Sequence, residues 1–159
     1  IARHVGDLQI GVYAAPSYLE RLGPPSHPRE LENTDHRRVG FLSSRTGKID
    51  PLVLRSESER IEITGSYVLA VDDGNAYLEA GLAGLGVIAL PVYMAEAHQA
   101  CGSLIRLFEH WRIKPMSLYL AFPPNRHVNA RLRVFIDWIV ELMQQHVPNS
   151  NNKSLPPSP

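Results

Sequence analysis

Four groups of residues in this 159-residue sequence are of types that do chemistry. His98 and Cys101 stand three apart on one predicted helix, offering an imidazole and a thiol for a nucleophilic pair or half a metal site. Two ligands do not close a metal site. No other pair lies nearby, and none of the seven histidines stand three or four apart. The bland alternative, a surface histidine beside a half-buried thiol, is preferred. Gly81, Gly84 and Gly86 suggest a phosphate-cradling loop, but such a loop runs strand, glycines, helix, and here the order is helix, glycines, strand. A helix end packed closely on a sheet is expected instead.

No Gly-x-Ser-x-Gly elbow is present, so no strained turn presents a serine nucleophile. Asp72 and Asp73 could serve as acid and base, yet they sit where a helix begins, and helix capping explains them more simply. No catalytic residue, cofactor or metal is therefore assigned, and the chain is expected not to be an enzyme. What remains is binding. The segment Phe41, Leu42, Ser43 and Ser44, continuing into Arg45 and Thr46, puts hydroxyls and a cation at a strand end. Asp72, Asp73 and Asn75 open a helix. In open α/β sheets ligands gather at the carboxyl ends of strands. If both segments share one edge, a small polar ligand with a flat or apolar body against Phe41 fits there.

The elements that must position these residues can be read from apolar spacing. Leu8 to Ala14 alternates like a strand, a short helix runs Tyr18 to Leu22 with Gly23 closing it, and Val39 to Leu42 forms a compact apolar run. A helical turn falls at Arg29 to Leu31, and Ser43 to Asp50 is a loop. Arg60 to Thr64 and Tyr67 to Val71 alternate around Gly65 and Ser66, which predicts a hairpin. A helix over Asn75 to Ala83 follows, then a doubly buried strand over Leu85 to Leu90 and a helix from Pro91 to Gly102. Ser103 to Phe108 and Met116 to Phe122 read as strands. The last helix, Asn129 to His146, carries Leu132, Phe135, Ile136, Ile139, Val140 and Met143 on one face, with Arg126, Arg131 and Arg133 on its solvated side. The class is α/β with a mostly parallel sheet flanked by helices.

Sixteen basic residues balance sixteen acidic ones, so no net field draws a polyanion or an anionic membrane, and the chain itself is expected not to bind DNA. The longest apolar stretch, Gly84 to Met94, is too short to cross a bilayer. A single cysteine excludes an internal disulfide and fits a reducing compartment. The opening at Ile1 reads as the interior of a longer protein.

Four stretches in this order carry a resemblance: residues 11–31, 37–48, 67–94 and 102–141, above all AGLAGLGVIALP at 80–91 followed by LYLAFPPNRHVNARLRVFIDWI at 118–139. The sequence resembles the effector-binding domain of LysR-type transcriptional regulators, which has the type 2 periplasmic-binding-protein fold. That resemblance implies two α/β subdomains, joined by two crossing strands, holding a small-molecule effector in an interlobe cleft. It implies a partial effector-binding domain over residues 1–147, with a second subdomain over about 12–115, and a return strand and final helix of the first subdomain over 116–147. The tail at 148–159 is expected to be disordered. By position, Phe41, Leu42, Ser43, Ser44, Asp72, Asp73 and Asn75 match the family's effector-lining segments. The resemblance further implies a cytoplasmic homodimer that reaches DNA only through a winged helix-turn-helix not contained in these residues. An uncovered face on the final helix would add self-association. The alternative is a solute-binding protein of a transport system with the same fold.

Overall fold

The computed structural model describes residues 2–33, 35–65, 67–121 and 130–146. The predicted tail at 148–159 lies outside them. The chain forms two compact units, one from residues 9–114 and the other from 2–8 with 115–146. The larger unit is built around β2 (Ile10–Ala14), which pairs antiparallel with both β7 (Ile88–Pro91) and β8 (Ile105–Leu107). β3 (Arg38–Phe41) and β6 (Tyr67–Val71) run parallel to each other. A parallel bridge from Arg38 to Val87 sets β3 beside the lead-in to β7.

A second sheet stacks β5 (Arg60–Ile63), β4 (Leu52–Arg55) and β9 (Arg112–Ile113), both pairings antiparallel. The fold is thus α/β, as expected, but among the described residues the β3–β6 ladder is the one parallel ladder. Helices do alternate with strands. The sheet is nevertheless mixed, because β2 is inserted antiparallel between β7 and β8. The expected hairpin around Gly65 does not form either: β5 pairs back to β4 across a turn where Ser56 N–H donates to the Glu59 carbonyl, and β6 goes to β3.

Each face of the main sheet buries its own cluster. Val12 and Ala14 face Tyr18 of α1 (Pro16–Leu22), Leu31 of α2 (Glu30–Asn33), and Leu54 and Ile63 of the second sheet. Tyr13 faces the other way, with Tyr77 and Ala80 of α3 (Gly74–Leu82) and Ala95 of α4 (Val92–Ala100). Strand β2 therefore buries both faces, and the alternation read from Leu8 onward breaks into β1 (Ala2–Leu8) and β2, separated by Gln9. Each buried Leu, Ile or Val removed from water contributes about 1.5 to 3 kcal/mol.

The glycines that follow α3 work as packing elements. Gly84 has φ +71°, a left-handed conformation that ends the helical segment. A Cβ on Gly86 would lie 2.9 Å from the Arg37 carbonyl oxygen and 3.1 Å from the Val39 nitrogen, so only glycine lets this segment meet β3. The result is tight helix-to-sheet packing with no phosphate cradle.

In the smaller unit, β1 pairs antiparallel with β10 (Met116–Ala121), with an irregularity between His4 and Gly6. Helix α5 (Ala130–His146) lays Ile136 and Val140 against Val5, Leu118 and Leu120. Leu132 and Phe135, expected on the same buried face, are instead exposed. Arg131 and Arg133 are solvent-facing as expected, and Arg126 lies outside the described residues.

Candidate functional site

The parallel register puts Phe41 opposite Val71, and the Leu42 N–H donates to the Val71 carbonyl at 2.7 Å. The two strands run in the same direction, so the serine loop after Phe41 and the turn at Asp72 leave the sheet at the same edge. β7 runs parallel to β3 across the Val87 bridge, so its carboxyl end at Pro91 also reaches that edge. Three elements therefore share this rim: the 43–48 loop, the start of α3 and the start of α4.

The loop is held closed by its own backbone. Ser43 N–H donates to the Lys48 carbonyl at 2.9 Å, and Gly47 N–H to the Ser43 carbonyl at 2.7 Å. Leu42 bridges to Ile49 at its base. Ser43 and Leu42 are partly buried, while Ser44, Arg45 and Lys48 are exposed. Phe41 is 42% exposed, and its ring meets the Tyr77 ring edge-on at 5.4 Å. Tyr77 is buried, and its hydroxyl oxygen accepts the Ala89 N–H at 3.0 Å, which fixes the ring behind Phe41. Burial pushes the Tyr77 hydroxyl above its ordinary pKa. Nothing in the spacing of Tyr77 singled it out; its role comes from the α3 turn that aims it at β3.

Asp72, Asp73 and Asn75 lie on the rim, Asp72 and Asp73 exposed and Asn75 at the first turn of α3. Asp73 is the N-cap of α3, and its carboxylate accepts the N–H groups of Asn75 at 3.0 Å and Ala76 at 2.9 Å. The capping expected of the aspartates is thus made by Asp73, and the first amides of α3 are taken by the protein's own carboxylate. The start of α4 differs. Its N-cap is Pro91, which offers no side-chain hydrogen bond, and among the described residues only Val92 N–H of the first turn is matched, donating to the Gln9 carbonyl at 2.8 Å.

The other chemistry-bearing residues lie elsewhere. The Cys101 thiol is 3.2 Å from the Ser103 hydroxyl, and the His98 ring reaches that same hydroxyl at 3.3 Å, so thiol and imidazole meet through serine. The hydrogen bond from Ser103 draws the exposed thiol below its usual pKa. In the smaller unit Asp7 accepts from Ser117 at 2.6 Å and lies 3.0 Å from His4 Nε2. The carboxylate stands between hydroxyl and imidazole there, so the two meet only through Asp7. Among the described residues no three His, Cys, Asp or Glu side chains are grouped to hold a metal ion, and no helix is long and apolar enough to cross a membrane.

The sequence profile described as the LysR substrate binding domain matches residues 1–144. An HTH-type transcriptional repressor of Pseudomonas aeruginosa is 27% identical over 92% of this chain and 45% of its own length. The HTH-type transcriptional regulator YhjC of Escherichia coli, itself uncharacterized, is 32% identical over 92% of this chain and 48% of its own. The chain thus spans about half the length of the curated relatives it matches. Among solved structures, the regulatory domain of CrgA, a LysR-type transcriptional regulator from Neisseria meningitidis, superposes with TM-score 0.69 at 27% identity, covering 90% of this chain and 68% of that one. The full-length virulence activator AphB of Vibrio cholerae gives TM-score 0.74 at 22% identity, over 90% of this chain and 48% of that one, a likeness of fold.

Proposed function

The chain belongs to the LysR substrate-binding domain family, and from that premise we propose that it is the ligand-sensing part of a transcription regulator, with residues 41–44 and 72–75 forming one wall of its effector site. The observation that carries this reading is the parallel pairing of β3 with β6, which brings the serine loop and the Asp73-capped start of α3 to one edge. Phe41 supplies an apolar ring beside Ser43, Ser44 and Asn75, a combination suited to a small molecule with a flat body and a few polar groups.

Binding regulates transcription by differential affinity. A ligand that favours one arrangement of the sensor shifts the DNA-binding equilibrium, and a coupling of about 1 to 3 kcal/mol suffices. DNA is contacted through a winged helix-turn-helix that these 159 residues do not contain, and the regulator works in the cytoplasm as an oligomer of identical chains. The named relatives are transcription regulators, which supports reading the chain as a sensor and not as an enzyme. The relatives named above are regulators, and none is a transport protein, which favours sensing over solute capture.

A metabolite panel scored by thermal shift tests this. A compound that stabilises the chain should lose at least about tenfold in affinity when Ser44→Ala and Asn75→Ala are combined, as for the loss of two hydrogen bonds. An unchanged affinity for every binder would overturn the assignment of the wall. Sedimentation at micromolar concentrations checks the association of identical chains.

A further inference from the structure

Among the buried side chains of the larger unit, the Tyr13 hydroxyl is an exception: the residue is 0% exposed and its oxygen has no hydrogen-bond partner. A buried hydroxyl left without a partner is costly, and such groups in native proteins call for an explanation. The ring folds back over Gly11, where any Cβ would collide with the hydroxyl oxygen. That places the hydroxyl at the level of the Gly11–Leu90 pair, one residue before Pro91 and the start of α4. Tyr13 and Ala95 share a core cluster, so the hydroxyl lies on the face of the sheet that carries α4.

Directly after Leu90 and Pro91, the nine-residue helix α4 begins without a side-chain cap. The Val92 N–H is matched by Gln9, but those of Tyr93 and Met94 find no acceptor among the described residues. The neighbouring helix α3 shows the contrast, its corresponding amides being filled by Asp73. We propose that the first turn of α4, with the Tyr13 hydroxyl beneath it, anchors a carboxylate oxygen of the small molecule received by the rim. This rests on the reading of the rim as a ligand wall, and it adds a third element and a specificity-determining residue to that wall.

The chemistry favours a negatively charged acceptor. Two amides and one hydroxyl can all donate, and the helix N-terminus adds its positive end. Arg106, opposite Tyr13 on β8, lies within electrostatic range, while Glu96 on α4 is the charge that opposes. The hydroxyl is enclosed, so the proposal gives it a single oxygen of the ligand and leaves the ligand body outside, beside the exposed Tyr93 ring.

The probe is sodium acetate, titrated into the 159-residue chain against sodium chloride at equal ionic strength and followed by amide NMR. Saturable shifts specific to acetate are expected at Tyr93 and Met94. Tyr13→Phe, which removes only the hydroxyl, should weaken that binding about tenfold, as for loss of a hydrogen bond to a charged partner. Its thermal midpoint should be no lower than that of the parent, since an unmatched buried hydroxyl has gone. Absence of acetate-specific shifts at Tyr93 and Met94 overturns the proposal. So does equal acetate affinity in Tyr13→Phe, or a crystal structure in acetate showing only a buried water on the hydroxyl. Failure of the rim reading is seen separately: metabolite affinity unchanged by Ser44→Ala with Asn75→Ala, while acetate still reports at Tyr93 and Met94, sinks the wall and leaves the anchor.

Discussion

The two units use their apolar residues differently. In residues 9–114 both faces of one sheet are covered, each by its own cluster of buried side chains. In the smaller unit the β1–β10 ribbon buries Val5, Ile136 and Val140, and the same helix leaves Val134 at 69% and Trp138 at 54% exposed. An amphipathic helix stabilises itself mainly through the face it buries, so α5 rests on few contacts, whereas the larger unit has a layered interior. The contrast teaches that the candidate site lies with the more extensive packing. The rim is built wholly within the better-packed unit, which gives its loops a rigid base.

The comparison can be broken most forcefully at Leu54, which is fully buried. Leu54→Ala should cost about 2 to 5 kcal/mol in urea unfolding. Ile136→Ala removes similar chemistry from α5, and hydrogen exchange should show its lost protection confined to β1, β10 and α5. Equal loss of protection throughout the chain after either change would show that the units unfold as one, and the contrast would fail. A smaller effect sharpens the picture inside the larger unit. Asp73→Ala should destabilise by about 1 kcal/mol and speed amide exchange at Asn75 and Ala76, the two groups that its carboxylate accepts.

The smallest expected effect is with acid. The Ser117 hydroxyl, and then His4, hold the Asp7 carboxyl below its ordinary pKa, and Arg29 does the same for Glu59 in the larger unit. A lowered folded-state pKa means stability that is present above the unfolded value and lost as pH falls through the folded one, here below about pH 4. Both groups are open to solvent, so the losses are slight. Ser117→Ala should raise the Asp7 pKa, read by carbon-detected NMR titration, and leave that of Glu59 in place; a shift in both would mean that the units share one electrostatic response.

Much of this was legible in the sequence where the signal is local. The Asp73 cap and the helix after it follow from residue type and position, and the glycine run reads correctly as packing because its order is wrong for a phosphate loop. Pairing was less legible. Arg60–Ile63 and Tyr67–Val71 both alternate, and Gly65 lies between them, yet period says nothing about which strand is the neighbour. The partner of β5 is Leu52–Arg55, a short apolar run without alternation, and that of β6 lies more than two dozen residues upstream at β3. The double burial of β2 erases the alternation that would have marked its ends. At the rim, the positions of Phe41, Ser43, Ser44, Asp72, Asp73 and Asn75 could be argued from strand ends, but Tyr77 behind Phe41 could not. Nor could the contrast between a filled α3 start and an open α4 start, since it depends on a carboxylate folding back onto its own helix and on Pro91 having nothing to fold.

The ladder between β1 and β10 joins Ala2 to Ala121, with the whole larger unit lying between them in the chain. During synthesis more than a hundred residues are added between β1 and its partner β10, a delay on the order of ten seconds at usual elongation rates. Throughout that interval the β1–β10 ladder cannot form, whereas residues 9–114 already hold the partners of their own strands. Nascent chains should therefore acquire a protease-resistant body in residues 9–114 before β1 and β10 are paired.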